Sequence, residues 1–201
     1  LPHDARRQRQ MCIRDSFGIY RDPTDGVKES ANRTTEWMMT QLDMAKEITK
    51  DMHVLDVGSG HGGGSHAMAK KFGCKVTGIN IGPGQNAMNL AKAKELKLDH
   101  LVDAVVGNIN DPLPEEWTGK FDAIWSCEVL CHAGDKLALF KDLYRCLKPG
   151  GAFVFSDICG ADGADEKALK AFTDRNATTF MGRPSQYIQD VKDLSLIHIS
   201  E

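Results

Sequence analysis

The feature that most constrains the fold is a cluster of glycines directly after a short apolar segment. Residues 53–57 are mainly apolar, and Gly58, Gly60, Gly62 and Gly63 follow within six positions. A GxGxxG spacing between a strand and a helix allows positive φ angles and lets a ligand lie against the backbone. The segment therefore predicts a strand, a tight ligand-binding turn and a helix, which is the first unit of an open α/β sheet.

Apolar periodicity predicts that strands and helices continue to alternate along the chain. Short runs rich in Val, Ile and Phe indicate strands, and apolar residues every three or four positions indicate helices. This alternation predicts βαβ units, and hence a doubly wound, mostly parallel α/β sheet with helices on both faces. The predicted strands are residues 53–57, 75–79, 101–106, 121–125 and 152–156, and the predicted helices are residues 25–49, 85–96, 136–147, 165–180, 185–194 and a helix from the glycines to residue 72.

One carboxylate narrows the choice of ligand for the glycine loop. NAD- and FAD-binding domains share the glycine spacing, but they hold pyrophosphate at the helix N-terminus, where a carboxylate would be repulsive. Asp56 lies two residues before the first glycine. A ligand that carries an ammonium and a sulfonium group, such as S-adenosylmethionine, is instead attracted to it. The loop therefore predicts a cationic cofactor, with a purely structural turn as the alternative.

The loop and several later segments together resemble class I S-adenosylmethionine-dependent methyltransferases in order and spacing. Within that superfamily the chain looks most like the glycine/sarcosine/dimethylglycine N-methyltransferase family, whose members make betaine. The resemblance implies a Rossmann-like core with an N-terminal helical cap, and it covers about residues 17–193. The superfamily segments are residues 54–63, 76–80, 121–126 and 147–151, and the closer resemblance lies in residues 17–20, 29–34, 128–136 and 155–158.

The resemblance implies a cofactor site along the carboxyl ends of the strands. This chain departs from the family at two positions, because Asn80 and Asn108 stand where acidic residues usually contact the ribose and the adenine. An Asn carbonyl can accept those hydrogen bonds, but charge-assisted bonds are stronger, so we expect weaker cofactor binding. The alternative is that both are ordinary loop asparagines. The predicted cofactor-binding residues are Tyr20, Asp56, Gly58, Ser59, Gly60, Gly62, Asn80, Ile81, Gln85, Asn108, Ile109 and Ser126.

Aromatic residues near the start of the domain have two alternative roles. Tyr20 and Trp37 could form a wall over a sulfonium by cation–π contact. Trp37 also lies in the apolar stripe of the first predicted helix with Met38, Met39 and Met44, and we place these four residues in the core.

Methyl transfer from a sulfonium to an amine needs in-line approach and an acceptor for the amine proton. Glu128 and His132 follow the fourth strand and Asp157 follows the fifth, so all three are expected beside the transferred methyl group. Arg175, in a stretch that matches the family's substrate side, could clamp a carboxylate. We predict these four residues as the catalytic and substrate-binding set. A surface role is the alternative for His132, Asp157 and Arg175.

The expected activity is methyl transfer from S-adenosylmethionine to the nitrogen of a small amine such as sarcosine or dimethylglycine. The alternatives are a C-methyltransferase of the sterol or tocopherol type and an inactive cofactor-binding fragment. An NAD-dependent reductase fits the glycine spacing, but the chain lacks a Tyr-x-x-x-Lys-type pair.

Composition limits the partners and the compartment. The net charge is −3 and no Lys/Arg cluster lies over the predicted site, so nucleic acid is not expected as a partner. The apolar runs are too short for a membrane span. The six cysteines form no CxxC pair, which favours a reducing, cytoplasmic location. Cys127, Cys131 and His132 fall short of the four ligands of a closed zinc site, so no metal is predicted.

Both ends of the chain differ from the body between them. Residues 6–16 show no apolar period, and residues 194–201 stop abruptly after a helical pattern. Both ends resemble peptides translated from sequencing-adapter DNA left in a transcript assembly, with an ordinary mobile tail as the alternative. We expect non-native or disordered tails at residues 1–16 and 194–201, a methyltransferase domain at residues 17–193, and truncation before the last strands of the fold.

Overall fold

Five strands form one parallel sheet with the order β3-β2-β1-β4-β5. The computed structural model describes residues 18–22, 24–176, 178 and 181–194, so nearly all of both predicted tails lies outside the described residues. The strands are β1 (His53–Val57), β2 (Lys75–Asn80), β3 (Val102–Val106), β4 (Phe121–Cys127) and β5 (Leu147–Ser156). The helices are α1 (Val27–Ala45), α2 (Gly63–Phe72), α3 (Pro83–Glu95), α4 (Lys136–Cys146), α5 (Glu166–Asn176) and α6 (Pro184–Asp193).

The strand order places a topological switch point between β1 and β4. From β1 the chain moves outward through β2 to β3, and then it crosses back to β4 on the other side of β1. In open α/β sheets a ligand crevice forms at the carboxyl ends of the strands at such a point. Val57 pairs with both Ile79 and Ser126, so the loops that follow β1, β2 and β4 leave the sheet at the same edge.

Two apolar cores cover the two faces of the sheet because successive residues of a strand point to opposite sides. Leu55 and Val57 pack into the core that includes α4 residues, whereas Val54 packs into the core that includes α1 and α2 residues. Asp56 lies on the same face as Val54 by this alternation. The doubly wound parallel fold predicted from the sequence is therefore confirmed.

Local signals set the helix ends. Pro83 occupies the first turn of α3, and Asp135 caps α4 by accepting from the backbone N–H of Ala138 at 2.9 Å. Gly73 ends α2 in the left-handed conformation, with φ of 68°. The helix bounds predicted from apolar periodicity were accurate to within four residues.

The start of β5 was predicted wrongly. We expected Pro149 and Gly150 to form a turn before a strand over residues 152–156, but β5 begins at Leu147 directly after α4. The pairing of β4 with β5 is irregular between Phe121 and Ala123, which accommodates the proline and a glycine with φ of 71°. In the described part of the chain, β5 is an edge strand.

The core prediction for α1 was half correct. Met38 and Met39 are buried, but Trp37 is 53% exposed and Met44 is 77% exposed. The buried face of α1 also carries the small residues Ser30, Ala31 and Thr34. Trp37 and Met44 are seven positions apart and therefore share an outward face. Among the described residues, no helix has the length and apolar character needed to cross a membrane.

Candidate active site at the carboxyl edge of the sheet

The glycine loop is held by hydrogen bonds that leave two amides for a ligand. The N–H groups of Gly58 and Ser59 both donate to the Ile79 carbonyl, at 2.8 and 3.2 Å. Gly58, Gly60 and Gly62 all have positive φ, between 52° and 82°. Within the described ranges, the N–H groups of Gly60 and His61 have no hydrogen-bond acceptor. These two amides can therefore bind an anionic group such as a carboxylate.

Two of the glycines are required by close approach as well as by φ. A Cβ on Gly58 would lie 2.2 Å from Val129 Cγ2, in the segment after β4. A Cβ on Gly62 would lie 2.0 Å from Asn89 Oδ1, on α3. The loop is thus packed between the segment after β4 and the inner face of α3.

Asp56 lies beneath the loop and not on the crevice surface. Its side chain is buried, and Oδ2 accepts from Ser65 Oγ at 2.5 Å. The Ser65 backbone N–H also donates to this carboxyl group, so Asp56 caps the N-terminus of α2. Burial raises its pKa to about 6, although the bonds from Ser65 oppose the increase. In this structure Asp56 can affect a cationic ligand only through its charge and through the loop.

Two predicted contact residues, Ser59 and Ser126, also have buried side chains. Ser126 is fully buried, and its Oγ donates to the Val57 carbonyl at 3.2 Å. Ser59 Oγ points towards Gly78, where an added Cβ would lie 2.5 Å away. Both hydroxyls therefore face the interior behind the loop, and the role of these two residues in cofactor binding stays a prediction.

Asn80 and Asn108 use their amides differently. Asn80 Nδ2 donates to Gln85 Oε1 at 2.8 Å, which leaves the Asn80 oxygen as the acceptor on this side chain. Asn108 Oδ1 accepts from the N and Nδ2 of Asn110, at 3.0 and 3.3 Å. The Asn108 oxygen therefore organises its own loop, and an adenine amino group would have to compete for it. Ile81 is 65% exposed at the rim.

A cavity of about 290 Å³ lies to one side of the glycine loop, between β3 and the loop after it. Among the predicted cofactor-binding residues in the described part of the chain, Asn108 alone lines it, and Ile109 packs against the core. The cavity is therefore separate from the glycine loop.

Glu128 and His132 follow β4, as predicted. Glu128 has φ of 57°, a left-handed conformation that is unfavourable for a residue with a side chain, and its N–H donates to the Ser156 carbonyl at 2.8 Å. His132 is exposed and ends a short 3₁₀ turn, Leu130–His132. Its carbonyl accepts from Asn110 Nδ2 at 3.3 Å, so the loops after β3 and β4 are joined.

Asp157 follows β5 and Arg175 lies on α5, and their predicted roles in catalysis and substrate binding stay predictions. Both oxygens of Asp157 are engaged, since Oδ1 accepts from the Cys131 N–H at 3.0 Å and Oδ2 accepts from the Tyr187 hydroxyl. Arg175 is exposed in the last turn of α5 and makes no hydrogen bond or ion pair with another described residue. Sequence reasoning missed Tyr187, which carried no signal beyond an aromatic residue in a predicted amphipathic helix.

Tyr20 lies on a short segment that runs along α1. The Ile19 N–H donates to Thr34 Oγ1 at 3.0 Å, and Arg33 donates to the Ile19 carbonyl at 3.2 Å. Tyr20 itself is 52% exposed, and its role as a wall over a cofactor stays a prediction.

The thiols near the site are protonated at neutral pH. Burial raises the pKa of Cys127 to about 11 and that of Cys131 to about 12. Because the thiolate is the reactive form, neither thiol is an activated nucleophile.

Comparison with known proteins identifies relatives for most of the chain. A sequence model described as a methyltransferase domain matches residues 55–155, from β1 to the end of β5. A sarcosine/dimethylglycine N-methyltransferase of Halorhodospira halochloris is 31% identical over 184 residues, 92% of this chain and 64% of that protein. A cycloartenol-C-24-methyltransferase of Arabidopsis thaliana is 32% identical over 146 residues, 70% of this chain and 40% of that protein. The chain thus spans less than two thirds of the length of either relative.

Solved structures share the fold. A Galdieria sulphuraria protein, proposed to be a sarcosine dimethylglycine methyltransferase, superposes with a TM-score of 0.80 at 30% identity, covering 88% of this chain and 66% of that one. A Streptomyces coelicolor A3(2) geranyl diphosphate C-methyltransferase, crystallised with S-adenosyl-L-homocysteine, superposes with a TM-score of 0.74 at 24% identity, covering 90% of this chain and 70% of that one.

Proposed function

Because this chain belongs to the methyltransferase domain family, we propose that it transfers a methyl group from S-adenosylmethionine to the nitrogen of a small amine. The observation that carries the proposal is the glycine loop at the switch point, with its two available amides and the carboxylate of Asp56 beneath it.

The residues of the loop and of its neighbours fit the chemical groups of this cofactor. The N–H groups of Gly60 and His61 would hold its carboxylate, and the Asn80 oxygen would accept a ribose hydroxyl. The charge of Asp56 would favour its ammonium and sulfonium groups, since the intervening protein screens charge less than water does. When bound, S-adenosylmethionine supplies an electrophilic methyl group on sulfur.

The segment after β4 would hold the acceptor. Glu128 and His132 lie on this segment, and Val129 between them touches Gly58 of the glycine loop. The acceptor nitrogen would therefore be held close to the cofactor, and orientation would supply most of the catalysis, roughly 7–11 kcal/mol in well-oriented cases. His132 is the exposed group that would accept a proton from the amine, and Glu128 would attract a cationic acceptor.

A small amino acid amine is the acceptor class that we propose. The support is the Halorhodospira relative, named for sarcosine and dimethylglycine and similar along 92% of this chain. Methylation of dimethylglycine gives betaine, so a role in betaine formation follows from the proposal. We also place the protein in a reducing, cytoplasmic compartment, since the five described cysteines are free thiols.

A methyl-transfer screen tests the proposed function. The protein is incubated with methyl-labelled S-adenosylmethionine and with glycine, sarcosine, dimethylglycine or a sterol, and the labelled product is identified by mass spectrometry. We expect label on sarcosine or dimethylglycine. Label on the sterol alone would replace the amine proposal with C-methylation.

A variant at the ribose position adds a control for the cofactor site. Asn80→Asp should tighten binding of S-adenosylhomocysteine by about fivefold, since charge-assisted bonds are roughly twice as strong as neutral ones. Asp103→Asn, on an exposed position of β3, should leave binding unchanged. Unchanged affinity in Asn80→Asp would remove Asn80 from the site.

A further inference from the structure

A buried polar cluster lies directly behind the turn that carries His132. Its members come from four places in the chain: Asp157 after β5, Cys131 in the turn, Lys136 at the start of α4, and Tyr187 and Asp190 of α6. Lys136, Tyr187 and Asp190 are each only 5% exposed. Polar side chains this deeply buried are costly unless they bond to one another, so a specific arrangement is expected.

Asp157 is the bridge of this cluster. One carboxylate oxygen accepts from the backbone N–H of Cys131 at 3.0 Å, and the other accepts from the hydroxyl of Tyr187. Lys136 lies close enough for its charge to interact with that of Asp157, and its ammonium donates to the Ala133 carbonyl at 3.1 Å. A single carboxylate therefore ties helix α6 to the backbone of the turn after β4.

Tyr187 is fixed firmly enough to act as an anchor. Its ring packs against Phe140 and Phe155, with centroids 5.9 and 5.5 Å away. Burial, followed by the bond to Asp157, raises the pKa of its hydroxyl far above the usual value, so the phenol stays a donor. The backbone before α6 is also fixed, because Gly160 N–H donates to the Gly182 carbonyl at 2.9 Å.

The same turn contacts the glycine loop on its other side. Val129 packs against Gly58 so closely that no side chain would fit there, and Glu128 before it is held in a left-handed conformation. A residue in such a conformation keeps it only where the surrounding structure imposes it. Asp157 from behind and Gly58 in front therefore both help to fix this segment, together with the bonds that Glu128 makes with Ser156 and His132 makes with Asn110.

We propose that Asp157 and Tyr187 are positioning residues of the methyl-transfer site. They fix the turn after β4 from behind and so set the distance between the acceptor side, Glu128 and His132, and the glycine loop. This assigns helix α6, which lies outside the family match at residues 55–155, a part in the site. That Glu128 and His132 hold the methyl acceptor rests on the proposed function. The link from Tyr187 through Asp157 to the turn after β4 does not depend on that function.

The test compares Tyr187→Phe, Asp157→Asn and Asp157→Ala with Tyr144→Phe as the matched control. Tyr144 lies on α4 and is 49% exposed, so its variant changes a tyrosine without touching the cluster. Three quantities are measured: kcat and KM for the acceptor, affinity for S-adenosylhomocysteine, and the rate at which Cys131 reacts with a thiol reagent, followed by mass spectrometry. Cys131 is the probe because it is buried in the turn itself.

Removing the tyrosine hydroxyl should loosen the turn without disturbing the cofactor. Tyr187→Phe should lower kcat/KM for the acceptor about tenfold, as expected for one bond to a charged group, and it should speed Cys131 labelling by a similar factor. S-adenosylhomocysteine affinity should stay within about twofold, because the bonds that hold the glycine loop are intact. A Tyr187→Phe variant that matches Tyr144→Phe in both kcat/KM and Cys131 labelling overturns the proposal.

The two Asp157 variants separate positioning from direct catalysis. Asp157→Asn keeps an oxygen for the Cys131 N–H, so it should retain activity within about fivefold and an unchanged pH profile, whereas Asp157→Ala should lose most activity. Equal loss in both variants, with an altered pH profile for Asp157→Asn, would show that the carboxylate acts on the reacting atoms and would overturn the positioning role. If no amine is methylated even by the natural chain, the proposed function fails, but Cys131 labelling still decides the mechanical link.

Discussion

Replacing Asp56 by Asn should stabilise the folded chain at neutral pH and have little effect near pH 4. Asp56 is 3% exposed and lies under the N-terminus of α2, where its carboxyl group accepts from Ser65. A protonated carboxyl group and an amide have nearly the same shape. The variant therefore removes the charge and keeps the packing.

The magnitude follows from the pKa of the buried carboxyl group. Burial raises it from 3.8 to about 6, which is about two units and corresponds to about 3 kcal/mol at 1.36 kcal/mol per unit. Between pH 4 and pH 6 the folded chain holds a proton here that the unfolded chain has lost. The contribution of Asp56 to stability therefore falls as pH rises through this window, and above pH 6 it stays at its lowest value.

Urea unfolding at pH 4, 5, 6, 7 and 8 measures this effect. The difference in unfolding free energy between Asp56→Asn and the natural chain should grow from near zero at pH 4 to about 3 kcal/mol at pH 7, and then stay constant. Asp51→Asn, an exposed carboxylate just before β1, serves as the control and should show little difference at any pH. A difference that is independent of pH, or a natural chain that is more stable than Asp56→Asn at pH 7, would refute the claim that the buried charge of Asp56 destabilises the fold.

Three further outcomes are expected. Gly62→Ala should lower the unfolding free energy in urea by roughly 1–3 kcal/mol, because φ is 82° and the new Cβ meets Asn89. Adding Asn89→Ala to the same chain should restore part of this loss. A Gly62→Ala variant as stable as the natural chain would contradict the close packing. Glu128→Gly should raise the unfolding free energy by roughly 1 kcal/mol, because glycine adopts the left-handed conformation without strain. Methylation of the acceptor should slow in the same variant. A lower unfolding free energy would mean that the Glu128 side chain supports the fold. Trp37→Ser, at an exposed position, should change the unfolding free energy by less than about 0.5 kcal/mol. Leu42→Ala, at a buried position of the same helix, should lower it by roughly 2–5 kcal/mol. Equal losses in the two variants would place Trp37 in the core.

Strand and helix positions were largely predictable because they depend on local periodicity. Residues 53–57 were predicted and found as a strand, and the glycine loop after them takes the positive φ angles that its composition requires. The alternation of strands and helices also predicted a parallel sheet, but it did not predict the order of the strands within it. Resemblance supplied the family, which the comparisons confirm.

The direction of a polar side chain was less predictable. Asp56 and Ser126 lie at the expected positions of their strands, but both side chains point into the interior. The last residues of a strand that ends at a crevice lie near the ligand. Because successive side chains point to opposite faces of the sheet, such a side chain can still point towards the helices and away from the crevice. Sequence patterns predict where the strand ends. The direction of the side chain depends on which partner, such as Ser65 for Asp56, lies opposite it.

Contacts between distant segments could not be predicted at all. The bond between Tyr187 and Asp157 joins residues 30 positions apart, and the packing of Val129 on Gly58 joins two loops. The prediction that Trp37 lies in the core was wrong for a related reason, since small residues of α1 lie on its buried face and the large ring of Trp37 lies outside. Such outcomes are set by the three-dimensional fit of whole elements.

The central claim is that the glycine loop after β1 binds S-adenosylmethionine. Isothermal titration calorimetry of the natural chain and of Asp56→Ala, with S-adenosylhomocysteine and with NAD as separate titrants, tests it most directly. We predict one site for S-adenosylhomocysteine on the natural chain, no binding of NAD, and loss of the site in Asp56→Ala. Binding of NAD without S-adenosylhomocysteine would contradict the claim.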